Sequence, residues 1–256
     1  GRGMKLLSSP VVCDLNNDGQ KEIIVVGKNG TDGCIYVVNL KGKLVDKWNG
    51  SQKVYYEDAS KKTGFEFNVS VGDINGDGYL EVVAIRTNYI KAWSHTGDEI
   101  FKKQINYFFL TEGWRVSTDA PILADVDGDG IADIIFTNFD KIDALHGDGT
   151  HVLGFPLEMN SVPKGIVCAS DIDHDGKTEI IAIDNNNSNV YAWKTNGNPN
   201  AIEWGSERHD SHNTGEYGTF CQPKLIRSNT VWDGITPCGN IIVQSGTFTI
   251  PAGKTM

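Results

Sequence analysis

Along this chain, short β-branched runs alternate with tight clusters of Asp, Asn and Gly, and the same order recurs four times. Each repeat opens on a short, mostly apolar run: Pro10-Val-Val-Cys13, Asn68-Val-Ser-Val71, Pro121-Ile-Leu-Ala124 and Gly165-Ile-Val-Cys168. A polar loop follows, and then Glu22-Ile-Ile-Val-Val-Gly27, Glu81-Val-Val-Ala-Ile85, Asp133-Ile-Ile-Phe-Thr137 or Glu179-Ile-Ile-Ala-Ile183. Runs this short, β-branched and closed by turn residues predict buried strands, here A and B of each repeat. Strand C aligns at Val37-Val38, Ala92-Trp93, Ala144-Leu145 and Ala192-Trp193, each with a glycine four residues later: Gly42, Gly97, Gly149 and Gly197. A glycine there suits the positive φ of a C–D hairpin, with strand D starting at Leu44-Val45, Glu99-Ile100-Phe101, Val152-Leu153 and Ala201-Ile202. Each repeat therefore predicts a four-stranded antiparallel sheet.

The loops between A and B carry the chemistry. They read Asp14-Leu-Asn16-Asn-Asp18-Gly19-Gln20-Lys-Glu22, Asp73-Ile-Asn75-Gly-Asp77-Gly78-Tyr79-Leu-Glu81, Asp125-Val-Asp127-Gly-Asp129-Gly130-Ile131-Ala-Asp133 and Asp171-Ile-Asp173-His-Asp175-Gly176-Lys177-Thr-Glu179. Oxygen side chains recur at positions 1, 3, 5 and 9, with glycine at position 6, which lets a tight loop wrap a hard divalent cation in oxygens. The backbone carbonyl at position 7, on Gln20, Tyr79, Ile131 and Lys177, is the expected further ligand. An EF-hand shares the first half of this pattern but needs a Glu at position 12 and flanking helices. Position 12 here is Val25, Ala84, Phe136 and Ala182, and the flanks are strands. Loops three and four, with four carboxylates each, are expected to hold calcium more tightly than loops one and two, with three.

The run Asn68-Val-Ser-Val-Gly72-Asp73-Ile-Asn75-Gly-Asp77-Gly78 resembles an FG-GAP or integrin-α-type calcium repeat, also found among VCBS repeats of bacterial surface and secreted proteins. The resemblance covers about residues 5 to 205. It implies an all-β fold, a β-propeller of four-stranded antiparallel blades with calcium in the A–B loops; four blades are visible, and the ring either closes with these four or is larger, the option that the resemblance of the closing segment favours. Asn at position 3 of the first two loops and the missing Phe-Gly opening depart from the family pattern. Residues 1-220 are expected to form the propeller and its closing segment, and residues 221-256 the start of a separate β-rich region with the short alternating strands of a β-helix.

Charge changes the picture less than it first suggests. The formal net charge is −10, but the four loops hold 14 of the 33 acidic residues, so the acidity belongs to metal sites, about four calcium ions in all. Nucleic acid binding has no basic patch to support it. No apolar stretch approaches the ~20 residues that span a bilayer. Crowded carboxylates repel one another and resist ionisation, whereas a bound dication favours their charged form, so the ions are expected to act as staples. Cys13, Cys34 and Cys168 fall in predicted strands as small hydrophobes. Cys221 and Cys238 lie in the tail, where they could pair in an oxidising compartment.

After the last repeat, Trp204-Gly-Ser-Glu-Arg208-His209-Asp210-Ser-His212-Asn-Thr214-Gly215-Glu-Tyr217 resembles the segment that closes the last blade in large bacterial surface proteins. His209 and Asp210 read as a structural latch, because no nucleophile context accompanies them. Strand alternation puts the calcium loops on one face and the D–A connections on the other. Those connections carry Tyr55, Tyr56, Tyr107, Phe109, Trp114 and Arg115, and Phe155 and Met159 farther on, aromatic-rich sets suited to a sugar or a protein hot spot. All of these residues could equally fold inward over the blade edges. The expectation is a non-catalytic, calcium-binding interaction or adhesion module of a larger extracellular or cell-surface protein. Its partners would be a carbohydrate or protein ligand and further domains of the same polypeptide, with no nucleic acid and no membrane span. The alternative, a calcium-dependent lyase-like enzyme acting on polysaccharides, would need a base and charge neutraliser, for which only Arg86, Arg115 and Lys164 are in place.

Overall fold

Strand B anchors every repeat, because its alternating aliphatic residues can bury both faces only between two neighbouring strands and two neighbouring sheets. In the computed structural model the described residues are 5–6, 9–29, 32–56, 68–86, 89–105, 120–161, 163, 167–184, 189–206, 209 and 217, with short strands beyond. The first sheet contains β1 (Lys5–Leu6), β2 (Val11–Cys13), β3 (Glu22–Asn29), β4 (Asp32–Asn39) and β5 (Leu44–Tyr56), with β1 and β2 both paired to β3. The second runs β6 (Val69–Gly72), β7 (Glu81–Arg86), β8 (Tyr89–Trp93) and β9 (Glu99–Gln104) in order. The third is built on β10 (Ile122–Ala124), β11 (Asp133–Asn138), β12 (Lys141–Leu145) and β13 (Leu157–Glu158), the fourth on β14 (Cys168–Ser170), β15 (Glu179–Ile183) and β16 (Val190–Lys194). All four are antiparallel, and the A–B–C order read from the sequence holds in each.

Strand D departs from expectation twice. In the third sheet the chain makes a single bridge from Leu145 to His151 and a short β13, leaving Leu153 95% exposed. After β16, Ile202–Trp204 (β17) leaves the fourth sheet altogether and pairs with β10 of the third, Leu123 opposite Trp204. The fourth sheet therefore has three strands. Gly42, Gly97 and Gly149 take the positive φ their hairpins require, at 74°, 86° and 83°. Gly197 does not. It is glycine because a Cβ there would stand 1.8 Å from the Asp125 carbonyl oxygen.

The sheets pack in series. One apolar cluster joins sheets one, two and three through residues such as Ile24, Val37, Val83, Ala92, Leu123 and Trp204. A second joins sheets three and four, through Ile135, Ile142 and Ala144 on one side and Ala169, Ile180, Tyr191 and Trp193 on the other. Met159 and Phe155 belong to this cluster, so they fold inward over the sheet edges instead of lining an open loop. The outward face of sheet four differs from its counterparts. Ile183 is 44% and Val190 67% exposed, whereas Ile85 and Ile90 in sheet two and Val26 and Ile35 in sheet one are buried.

β17 begins a segment that touches strand A of every sheet. Trp204 pairs with Leu123, Gly205 accepts from Ala169 N at 3.1 Å, and Tyr217 N donates to the Val12 carbonyl at 2.8 Å. Gly72 of the second sheet lies so close to Glu203 that an added Cβ would be 2.7 Å from the Glu203 Cβ. The Tyr217 hydroxyl donates to Glu203, and His209 packs against the rings of both Trp204 and Tyr217. Aromatic burial at this crossing point ties four sheets with one short segment.

The compact unit that holds these sheets is Gly1–Tyr217; the second, Gly218–Met256, contains β18 (Lys224–Ile226), β19 (Thr230–Val231), β20 (Ile241–Val243) and β21 (Phe248–Thr249). There β18 pairs with β20 and β19 with β21, both in parallel. Cys221, Cys238 and Asp210 lie outside the described residues. Among the described residues, no helix is long and apolar enough to cross a membrane.

Candidate metal centres

All four loops are closed by one hydrogen-bond scheme, which follows from the short side chains at positions 1, 3 and 5. The position 1 carboxylate accepts from the position 6 glycine N–H: Asp14 from Gly19 at 2.7 Å, Asp73 from Gly78 and Asp125 from Gly130 at 2.9 Å, Asp171 from Gly176 at 3.0 Å. The position 5 carboxylate accepts from the position 7 N–H, so Asp18, Asp77, Asp129 and Asp175 hold Gln20, Tyr79, Ile131 and Lys177 at 2.8 to 3.0 Å. The position 3 oxygens of Asn16, Asn75, Asp127 and Asp173 each accept from the position 5 N–H. The position 6 glycines all have φ between 83° and 86°.

Position 4 also bends to the left, at Asn17 (φ 55°), Gly76 (76°), Gly128 (92°) and His174 (61°). Sequence reasoning missed this. The signal was available, since Gly and Asn, and to a lesser degree His, are the residues that tolerate this region.

Position 9 reaches into the loop from the start of strand B. One oxygen of Glu22, Glu81, Asp133 and Glu179 accepts from the position 2 N–H, at 3.1, 3.2, 3.0 and 2.9 Å. The other oxygen of Glu81 and of Glu179 is buried and accepts no hydrogen bond. A buried carboxylate oxygen without a partner is costly unless a cation meets it. In loops two, three and four, Asp73, Asp77 and Glu81 bring carboxylates within 4.8 Å of one another, as do Asp125, Asp127 and Asp133, and Asp171, Asp173 and Glu179. Oxygen-only donors of this kind fit calcium. In loop one, Asp14, Asp18 and Glu22 keep the hydrogen-bond scheme but are not among these converging groups.

Electrostatics agree with the geometry. Burial, then the charges of Asp77 and Asp73, pushes the Glu81 carboxyl up to about 8. Burial also raises Glu22, with Asp18 and Asp14 adding to it. Asp133 is raised by burial and by Asp127, against which the His146 ring works from 2.9 Å. These acids are reluctant to ionise together until a cation compensates them.

Loops are also braced from other repeats. Asn198 N donates to Asp125 Oδ2 at 3.0 Å, Asp125 N to the Ala201 carbonyl at 3.0 Å, and Asn196 N to the Val126 carbonyl at 3.3 Å. Gly147 of the third sheet packs against the Ile74 carbonyl of loop two, where an added Cβ would be 1.9 Å from that oxygen. Tyr79 stacks on His95 at 4.2 Å, and Trp48 Nε1 donates to the His95 carbonyl at 2.9 Å. In loop four the Lys194 ammonium donates to Asp173 Oδ2 at 3.0 Å and also contacts Asp175.

The expected ligand surface is placed only in part. Tyr55 and Tyr56, read as loop residues, lie at the end of β5, opposite Gly33 and Asp32, because that strand runs for 13 residues. Tyr107, Phe109, Trp114, Arg115 and Lys164 lie outside the described residues, and Arg86 ends β7.

The FG-GAP-like repeat family matches residues 14–84 and 73–136. Cartilage acidic protein 1 of Xenopus tropicalis is 31% identical over 77 residues, 30% of this chain and 12% of that protein. A T-cell immunomodulatory protein homolog of Plasmodium yoelii yoelii is 26% identical over 152 residues, 51% of this chain and 22% of that one. The chain thus spans less than a quarter of the length of either relative. Among solved structures, a chain from the crystal structure of BBS1N in complex with ARL6DN aligns with a TM-score of 0.44 and 13% identity, covering 73% of this chain and 53% of that one.

Proposed function

With FG-GAP-like repeats running from residue 14 to residue 136, we propose that this chain is a calcium-stapled module of blade-like sheets, non-catalytic, that displays an interaction surface in an extracellular or cell-surface protein. The observation that carries the calcium reading is the pair of buried, unpartnered carboxylate oxygens on Glu81 and Glu179, residues whose carboxyl groups each converge with two further carboxylates. The side chains at positions 1, 3, 5 and 9 of each loop would hold the ion, with the position 7 carbonyl beside them. When bound, calcium supplies the positive charge these loops lack and, at a hundred times its dissociation constant, stabilises the fold by ~2.7 kcal/mol per site. Loops of this kind are filled where calcium is plentiful, which favours an extracellular setting.

Interaction rather than catalysis is supported by where the acidic groups go. The 14 acidic residues of the loops serve loop closure and would serve cation binding at strand starts, and His209 is packed against aromatic rings. The aromatic set Tyr107, Phe109 and Trp114, with Arg115 and the β5 end at Tyr55 and Tyr56, is the proposed contact surface for a carbohydrate or protein.

Two measurements test the proposal. Thermal unfolding with EDTA and with millimolar calcium should differ by many degrees, and equal melting temperatures after confirmed metal loss would remove the calcium reading. Screening the chain against polysaccharides, with both retention and release of unsaturated or reducing ends followed, should give retention without product. Calcium-dependent product release would replace the module with an enzyme.

A further inference from the structure

Loop four carries its own cation. In the register of the fourth sheet Lys194 lies directly across from Glu179, the position 9 residue, and its ammonium reaches Asp173 and Asp175, positions 3 and 5. The equivalent residue in the first three sheets, one past the strand C pair, is Asn39, Ser94 and His146. Asn39 caps its hairpin by accepting from Lys41 N and Lys43 N, both at 3.0 Å, and Ser94 bonds Thr96 within its own turn at 2.9 Å. His146 bonds Asp133. Only at the fourth position does an aliphatic stem carry a fixed positive charge to the loop. The cause is structural: the fourth repeat forms no C–D hairpin, since Thr195 N donates to the Thr178 carbonyl and Gly197 is held against Asp125, so residue 194 is not engaged in capping a turn.

Loop four is otherwise a complete site. Glu179 is buried, its second oxygen has no hydrogen bond, and Asp171 and Asp173 converge on it. An ammonium bound to two of the four carboxylates competes with a dication for the same negative charge, and it remains a repulsive neighbour even if it swings aside.

We propose that Lys194 is a tethered competitor that weakens calcium binding at loop four, so that loop three, with the same four carboxylates, is the tighter of the two. The inference rests on the calcium reading of the loops and sharpens it: carboxylate number alone does not rank the sites. Loop four then fills after loop three as calcium rises, and serves as the more responsive of these two four-carboxylate sites.

The test is a calcium titration of the full chain against a chromophoric chelator, which resolves successive binding steps. Asp171→Asn should delete one step and so identify loop four. Lys194→Met should tighten that step by roughly two- to five-fold, the scale of an exposed ion pair, and leave the others unchanged. Lys194→Arg should restore wild-type behaviour. In the presence of EDTA, Lys194→Met should melt below wild type, because Asp173 and Asp175 lose their counter-charge. If Asp171→Asn deletes a step but Lys194→Met leaves that step unchanged or weaker, competition is wrong while the metal site stands. If Asp171→Asn deletes no step, the calcium reading of loop four itself fails, and the inference goes with it.

Discussion

Gly147→Ala tests whether one sheet sets the shape of another sheet's metal loop. Gly147 sits in the C–D turn of the third repeat, and a Cβ there would lie 1.9 Å from the Ile74 carbonyl oxygen and 2.8 Å from its carbon. Both atoms are backbone, so neither can swing away as a side-chain end would, and the seam between sheets two and three must open by about 1.5 Å to restore ordinary contact. Overpacking of this kind costs typically about 1–3 kcal/mol and occasionally more. In a chain of this size, each kcal/mol lowers the melting temperature by about 2–4 °C. The right control is Gly42→Ala, where φ is 74° and nothing lies within 4 Å, so only the left-handed backbone cost of about 1–2 kcal/mol applies. Ile74 is position 2 of loop two, and its N–H holds Glu81 Oε2 at 3.2 Å. Gly147→Ala should therefore both melt lower than wild type and weaken the calcium step assigned to loop two, whereas Gly42→Ala should leave that step alone. Thermal melts in saturating calcium and a chelator titration measure the two effects. A Gly147→Ala protein with wild-type melting temperature and an unchanged loop two would show that the seam yields freely, and the cross-repeat argument would be wrong.

Glu81 makes calcium-free stability depend on pH. Its folded carboxyl is raised to about 8 against an ordinary 4.5, so its contribution is fully present below pH 4.5 and is lost as pH rises toward 8. Chelated protein should melt lower at pH 8 than at pH 6, and Glu81→Gln should flatten that slope; identical slopes in the two proteins would refute the assignment. Trp204→Ala removes a buried ring at the crossing point of four sheets and should cost about 3–5 kcal/mol, read from urea midpoints at fixed calcium. A loss below 1 kcal/mol would mean that the segment decorates the sheets without tying them.

What the sequence showed clearly was whatever is decided within a few residues. The four loops, strands B and C, the first three A strands and the glycines at 42, 97 and 149 are local choices of turn chemistry and alternation, and they stand where the pattern put them, while the fourth strand A is found at Cys168–Ser170, starting where the pattern ended it. What it hid was decided across repeats. Gly197 looked like a fourth hairpin glycine, yet it answers to Asp125, 72 positions earlier. Ile202–Trp204 had the composition of a fourth strand but pairs with Ile122–Ala124, where Trp204 is fully buried. Lys194 gave no signal beyond being a charged residue after a strand, and its meaning came from the loop facing it. Tyr55 and Tyr56 were read as loop residues because β5 outruns the ordinary strand of about 5–6 residues.

The uncovered face of sheet four gives the molecule a direction. Sheets two and three each contact a sheet on both sides, while the fourth rests on the third and leaves Ile183 and Val190 in water. Beyond the segment that ties all four, the sheets are coupled to their neighbours, and a unit with one neighbour opens more easily than a unit with two; sheet one is an end as well, but keeps its corresponding pair, Val26 and Ile35, buried. Losing the ion at loop two would loosen two seams in the interior of the row; losing it at loop four would loosen one, at its end. The chain is thus a graded material, stiff in the middle and yielding at the fourth sheet, and a fall in calcium would be felt there as a local fraying before it was felt anywhere as unfolding.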